Sequence, residues 1–250
     1  MCDFAVWSGN LDRYDVEFLG LQCGMSNRDA TGVALNSGGS IQTLKGPVEA
    51  EDFYMSTKWN ALWDNYGESC KSGMVHSRIA TNGNPEFNKN NHPHVSESGS
   101  VLVHNGVVRP VTKMTDAVSD CDSEQILRSL DAYGFEKGLQ NISGWAHIAY
   151  MPFFHQDYVY LFSNSTPLQV HTTVDGIVIV NTGRIEFDIE YPFEHEIEDT
   201  DVLDLNQWYC LNINNPSEGI QPWKKATLND TQDGYFGKSE RSFRSKLKSK

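Results

Sequence analysis

The sequence has no apolar run approaching the length of a membrane span, for which about 20 consecutive apolar residues are needed. Its start, MCDFAVWSGNLDRYD, has neither a basic n-region nor an apolar h-region. A secretory leader is therefore not expected, and the expected location is cytoplasmic. The three N-x-[ST] sequons at Asn141, Asn164 and Asn229 then carry no weight. Positive charge is scarce: 20 Lys and Arg face 33 Asp and Glu, a net charge of -13. A field of that sign repels phosphate backbones, so neither nucleic acid nor membrane is an expected partner. The five cysteines (Cys2, Cys23, Cys70, Cys121 and Cys210) show no CxxC and no metal-ligand spacing. An odd count without a leader argues against a disulfide framework. Phosphate-binding glycine loops, dinucleotide fingerprints, G-x-S-x-G elbows and internal repeats are all missing, which excludes several large enzyme classes and the solenoids.

What remains is an ordinary globular composition of 250 residues, 39% hydrophobic, enough for one large domain or two small ones. Short β-rich runs recur: CDFAVW, TGVALNS, SIQTL, MVHSRIA, SVLVHNGVV, WAHIAYM, DYVYLFS, LQVHTTV and GIVIVNT. Several alternate polar with apolar residues and are bounded by Gly, Asn, Asp or Ser, as half-buried strands are. Three stretches read as helices: Asp12 to Cys23, Val48 to Trp63, and Asp122 to Tyr133, the last with Asp122 and Gln125 at capping-box spacing. Many strands and few helices out of strict alternation predict an α+β layered sandwich. The segment from Gly83 to Ser100 reads as a long loop between strands, and such loops are often functional. From Gln207 onward the periodicity fades. Residues 1–207 are expected to form the main domain, and 208–250 an irregular extension ending in a basic, solvated tail.

Four features carry chemistry, and their order matters. Cys2 follows the initiator Met, whose removal before a small residue is usual. The new N-terminus would hold both a thiol and a free α-amine, with reference pKa values of about 8.5 and about 7.7–8.0. The amine can then serve as the thiol's base, the logic of an N-terminal nucleophile. HSRIATNG (76–83), NNHPH (90–94) leading to VHNGVV (103–108), and DSE (122–124) follow in turn.

Together these resemble the class II glutamine amidotransferases of the N-terminal-nucleophile hydrolase superfamily, especially the glutaminase domain of glucosamine-6-phosphate synthase. The family pattern is H-[ST]-R-W-A-T-H-G, NAHPH, VHNGII and D-[ST]-E, in the same order and with similar gaps. The resemblance covers Cys2 to about Leu205. It implies a four-layer αββα sandwich of two antiparallel sheets flanked by helices. It also implies that Cys2 attacks the glutamine side-chain amide, forming a γ-glutamyl thioester and releasing ammonia, then glutamate. By resemblance, Arg78 clamps the α-carboxylate, Thr81, Asn82 and Gly83 complete that grip, and Asp122 pairs with the α-ammonium. Asn105 and Gly106 supply the oxyanion hole. No cofactor is implied. A separate synthase subunit is expected to accept the ammonia, because only about 45 residues follow the glutaminase-like region, too few for a domain of usual size.

Each residue also has a plainer reading. Standing alone, Cys2 is an incidental thiol, Arg78 a strand-end arginine, Asn105-Gly106 a type I′ hairpin turn, and Asp122 a helix cap. A zinc site from His92 and His94 with His76 or His104 is disfavoured, since Pro93 stiffens the triplet and no Cys or carboxylate stands at ligand spacing. The family's Cys-Gly-Ile start is Cys2-Asp3-Phe4 here, which puts a carboxylate next to the nucleophile. Ile79 replaces an aromatic residue, and Asn82 a histidine. The family's Arg-Gly-Tyr-Asp run is Ser26-Asn27-Arg28-Asp29, so its arginine has moved or been lost. These departures leave the glutamine pocket largely intact and bear instead on coupling to an acceptor domain. Two alternatives stay open: hydrolysis of another γ-glutamyl amide, or a catalytically silent scaffold that kept the fold.

Overall fold

Alternation along the strands sets the layers. In β1 (Asp3–Ser8), Phe4 and Val6 enter one core while Ala5 and Trp7 enter another, as the two-residue period of an extended chain requires. The computed structural model describes residues 2–183, 185–187 and 193–229. After β1 come α1 (Arg13–Gly24), β2 (Ala30–Asn36), β3 (Ile41–Gly46), α2 (Ala50–Tyr54), α3 (Thr57–Tyr66), β4 (Ser72–Arg78), the short β5 (His94–Val95) and β6 (Val101–Pro110). The chain continues through α4 (Asp122–Gln140), β7 (Ile142–Met151), β8 (Tyr158–Ser163), β9 (Gln169–Thr173), β10 (Val178–Asn181), β11 (Ile197–Val202), β12 (Gln207–Asn212) and β13 (Ile220–Lys225).

The strands form a seven-stranded sheet, β11-β9-β10-β1-β4-β2-β3, and a six-stranded sheet, β13-β12-β8-β7-β6-β5. Every described pairing is antiparallel. One apolar cluster fills the space between the sheets. A second packs the first sheet under α1–α3, and a third packs α4 on the outside of the second sheet. This is the expected α+β sandwich of four layers, helix, sheet, sheet and helix. Among the described residues no helix is long and apolar enough to cross a membrane.

Three expectations are corrected. The helix expected from Val48 to Trp63 is two helices. Ser56 breaks it and caps α3 by accepting from the Trp59 amide at 3.1 Å; a serine at this position competes with the helix it interrupts. The Asp122–Gln125 capping box does not form. Cys121 is the N-cap, Asp122 accepts from the Val108 amide, and Gln125 Oε1 accepts from the Met114 amide. The stretch expected to be irregular from Gln207 contains β12 and β13. Trp208 on β12 is fully buried and packs on Phe162 of β8. The basic end of the chain lies outside the described residues.

Candidate functional site

The inner faces of both sheets are apolar along most of their length and turn polar at one end. On β4, Met74 belongs to the inter-sheet core and His76 and Arg78 follow on the same face; on β6, Asn105 follows Val101 and Val103. On β7, His147 precedes the inward Ala149 and Met151, and on the first sheet Cys2 precedes the inward Phe4. Registers β1–β4 and β6–β7 bring these ends together: Phe4 opposes His76, and Asn105 opposes His147. Extending the first register one position past its Asp3–Ser77 pair sets Cys2 beside Arg78.

Cys2 donates from Sγ to the Ile79 carbonyl at 3.4 Å. Burial pushes its thiol up to about 11, while the Ile79 contact and the Arg78 charge pull the other way. The neighbouring Asp3 lies on the opposite face of β1. Its carboxylate points to the helix side, where Asn27 Nδ2 donates to it at 2.7 Å and the Thr182 hydroxyl at 2.9 Å. Alternation along β1 thus separates the carboxylate from the Cys2 thiol.

Arg78 is 2% exposed. Its guanidinium donates to Asn91 Oδ1 at 2.8 Å, to the Gly83 carbonyl at 3.0 Å and to the Asn82 carbonyl. Among the described residues no carboxylate lies within 4 Å of it. A buried cation held by neutral acceptors and lacking a counter-ion is costly unless an anion joins it. Asn82 and Gly83 therefore fix the arginine through their carbonyls. Thr81 is exposed and makes no hydrogen bond among the described residues. Asp29, just before β2, accepts from the Ala80 amide at 2.6 Å and steadies the turn after β4. Gly32 lets the following loop close over β2, since a Cβ there would meet the His92 carbonyl at 2.0 Å.

Asn105 and Gly106 are not a hairpin turn. Both lie within β6, opposite His147 and Ala146. Asn105 is buried, and among the described residues its side-chain amide makes no hydrogen bond, with Oδ1 left unpartnered. Ala146 spends both backbone groups on Asn164, its amide on Oδ1 at 2.8 Å and its carbonyl on the Asn164 amide at 3.2 Å. The Gly106 amide is therefore not taken up at that rung and faces the free edge of β6. The Val108 amide, two residues on, faces the same edge and donates to Asp122 Oδ2 at 2.9 Å. Only glycine fits at 106, where a Cβ would meet the Trp145 carbonyl at 2.2 Å.

Sequence reasoning missed Asn91, His147 and Cys121. His147 bridges the Asn105 carbonyl at 3.3 Å and the Thr166 hydroxyl at 2.8 Å, joining β6 to the loop after β8. Asn91 is the second asparagine of the NNHPH motif, where the family pattern NAHPH has alanine, so the pattern offered no signal for it. Cys121, read from the sequence as an ordinary buried thiol, is buried, but it sits one residue before Asp122 with Sγ 3.7 Å from its Oδ1.

No family model matches the chain. Among curated proteins it is similar to glutamine–fructose-6-phosphate aminotransferases (isomerizing). That of Bacillus licheniformis is 26% identical over 188 residues, which cover 68% of this chain and 30% of the relative. That of Symbiobacterium thermophilum is 32% identical over 110 residues, 43% of this chain and 17% of the relative. The chain thus spans 30% or less of the length of these relatives. Among solved structures, the Bacillus subtilis glutamine phosphoribosylpyrophosphate amidotransferase in complex with ADP and GMP superposes with a TM-score of 0.63 at 15% identity, over 92% of this chain and 50% of that one. An allosteric regulatory enzyme of purine biosynthesis gives 0.65 at 14% identity over the same shares. At these identities the structural likeness is one of fold.

Proposed function

We infer that this chain, which takes its place among the class II glutamine amidotransferases with their N-terminal-nucleophile fold, hydrolyses the side-chain amide of glutamine through a thioester on Cys2. The observation that carries the reading is the buried Arg78 beside Cys2, a forked cation without a carboxylate partner among the described residues. A glutamine α-carboxylate supplies the missing charge in the geometry a guanidinium favours. Asp122, at the start of α4, takes the α-ammonium.

With Met1 removed, the α-amine of Cys2 accepts the thiol proton, and Sγ adds to the amide carbon. The oxyanion receives hydrogen bonds from Asn105 Nδ2 and the Gly106 amide, a type of donor worth about 3–4 kcal/mol each in enzymes. The amine returns its proton to the leaving nitrogen, the C–N bond breaks, and ammonia departs. Water then adds to the thioester, and breaking the C–S bond frees glutamate and restores the thiol. The ammonia passes to a synthase component that aminates an acceptor. Support for this last step comes from the curated relatives, whose names pair glutamine with a sugar-phosphate acceptor.

Intact-mass spectrometry of the full chain, with and without a glutamine-mimicking diazoketone, tests the reading. The expected result is loss of Met1 and a single adduct that maps to Cys2 and disappears in Cys2→Ala. An unlabelled Cys2, with glutamine left unhydrolysed by the chain, would overturn it.

A further inference from the structure

Next to the proposed site lies a cluster that its chemistry does not use. His76 and His92 stack with ring centroids 3.9 Å apart, and His94 meets His92 edge-on at 4.7 Å. His92 and His94 are each 3% exposed. Both ring nitrogens of His92 and Nε2 of His94 are buried without a hydrogen-bond partner among the described residues. An imidazole with both nitrogens unsatisfied is unusual in an interior, because each stranded polar atom costs about 1–3 kcal/mol. The third member arrives through the topology: α4 begins where it brings the Cys121 thiol to the two rings. One donor atom from each of His92, His94 and Cys121 lies within 4.8 Å of the other two.

We propose that His92, His94 and Cys121 form a binding site for a divalent transition metal ion, with zinc the best match to two imidazoles and one thiolate. Ligand atoms on a tetrahedral zinc stand about 3.3–3.8 Å apart, as follows from bond lengths of about 2.0–2.3 Å. The cluster contracts by about an ångström to reach that geometry, and the fourth position is left to water.

Charge is the term to weigh. Arg78 is nearby, and Lys45 donates to the carbonyls of Asn91 and Pro93, at 2.6 and 2.9 Å. These cations oppose another, which is one reason a neutral three-ligand set would not suffice. On binding, Cys121 gives up its proton to solvent as the S–metal bond forms, so the ion and thiolate together carry a single positive charge. Asp122 Oδ1, 3.7 Å from Sγ, offsets that charge. The bound ion would tie the loop carrying His92 and His94 to the start of α4.

The site shares Asp122 with the glutaminase reading but has its own ligands, and its test reads binding instead of turnover. The full chain is stripped with chelator and titrated with Co²⁺, whose thiolate charge-transfer and tetrahedral ligand-field bands report the donor set. Cys2→Ala serves as a second background, because an N-terminal aminothiol can itself chelate. The expected result is one ion per chain with a thiolate band in both backgrounds. Zn²⁺ displaces it and raises the Tm. Cys121→Ser weakens binding by about tenfold or more, since a direct ligand matters no less than an outer-shell partner, which is worth about 10–100-fold. Should Cys121→Ser fail to fold by circular dichroism, His92→Gln and His94→Gln each carry the same expectation. No band in the intact chain, or a band lost only with Cys2, overturns the proposal and leaves the rings to buried water.

Discussion

Asn91 Oδ1 accepts a hydrogen bond from Arg78 Nη1 at 2.8 Å, and the two residues belong to different sequence motifs. Asn91 is itself held, its Nδ2 donating to the Pro85 carbonyl at 2.8 Å. The long loop after β4 therefore folds back to orient the arginine that precedes it. A guanidinium pinned on three sides loses little further freedom when a carboxylate arrives.

Arg78→Lys is expected to raise the glutamine KM by about tenfold or more despite keeping the charge, because an ammonium cannot reproduce the forked contact. Asn91→Ala should act the same way more weakly, by unpinning the guanidinium. Glutamine kinetics together with glutamate binding by calorimetry check this. Near-normal affinity in Arg78→Lys would mean that the carboxylate sits elsewhere.

Asn105→Ala should lower kcat by about a hundredfold or more with little change in KM, as for a group acting mainly on the transition state. The structure adds that the mutant should fold normally. The Asn105 side chain has no partner to strand, and the bond to His147 comes from its backbone carbonyl. Parallel measurement of kcat and Tm separates the two effects; a large fall in Tm would give the side chain a structural role instead.

Truncation after residue 206 is expected to abolish folding. β12 pairs with β8 on one side and β13 on the other, and Trp208 fills the space beneath α4. Losing a buried Trp alone costs about 3–5 kcal/mol, a large share of a domain's stability. Soluble, cooperatively melting protein from the shortened chain would restore the expected boundary near residue 207.

The nine expected strands and the chemical motifs were legible because each is local: alternation is visible within six residues, and VHNG or HSR within four. The strands missed were β5, only two residues long and inside the stretch read as a loop, and β11, β12 and β13. β11, IEDTDV, is an exposed acidic edge, and β13, IQPWKK, carries Pro222, which only an edge or a bulge tolerates. Edges bury one face poorly, so the period that marks a strand is weak there. The site was read where a motif supplied the residue and missed where topology did. Cys121 reaches His92 across some 29 positions of chain, and Asp3 turns from Cys2 only because β1 alternates.

The last prediction concerns the nucleophile's proton. With its thiol raised to about 11 by burial, Cys2 in a chain that keeps Met1 is ionised in only about one molecule in a thousand at pH 8. Its thiolate population then grows about tenfold per pH unit until the pH approaches 11. Alkylation of Cys2 by iodoacetamide should follow that slope from pH 8 to 10 when Met1 is retained by inhibiting the aminopeptidase during expression. Removing Met1 sets an amine with a reference pKa of about 7.7–8.0 next to Sγ. Alkylation of the processed chain should be faster at neutral pH and level off near pH 8, where the amine is free to take the proton. Peptide mapping distinguishes Cys2 from the buried Cys23, Cys70 and Cys121 and the half-buried Cys210. Superimposable pH profiles for the two forms would show that the α-amine is not the base, and the mechanism would need another proton acceptor.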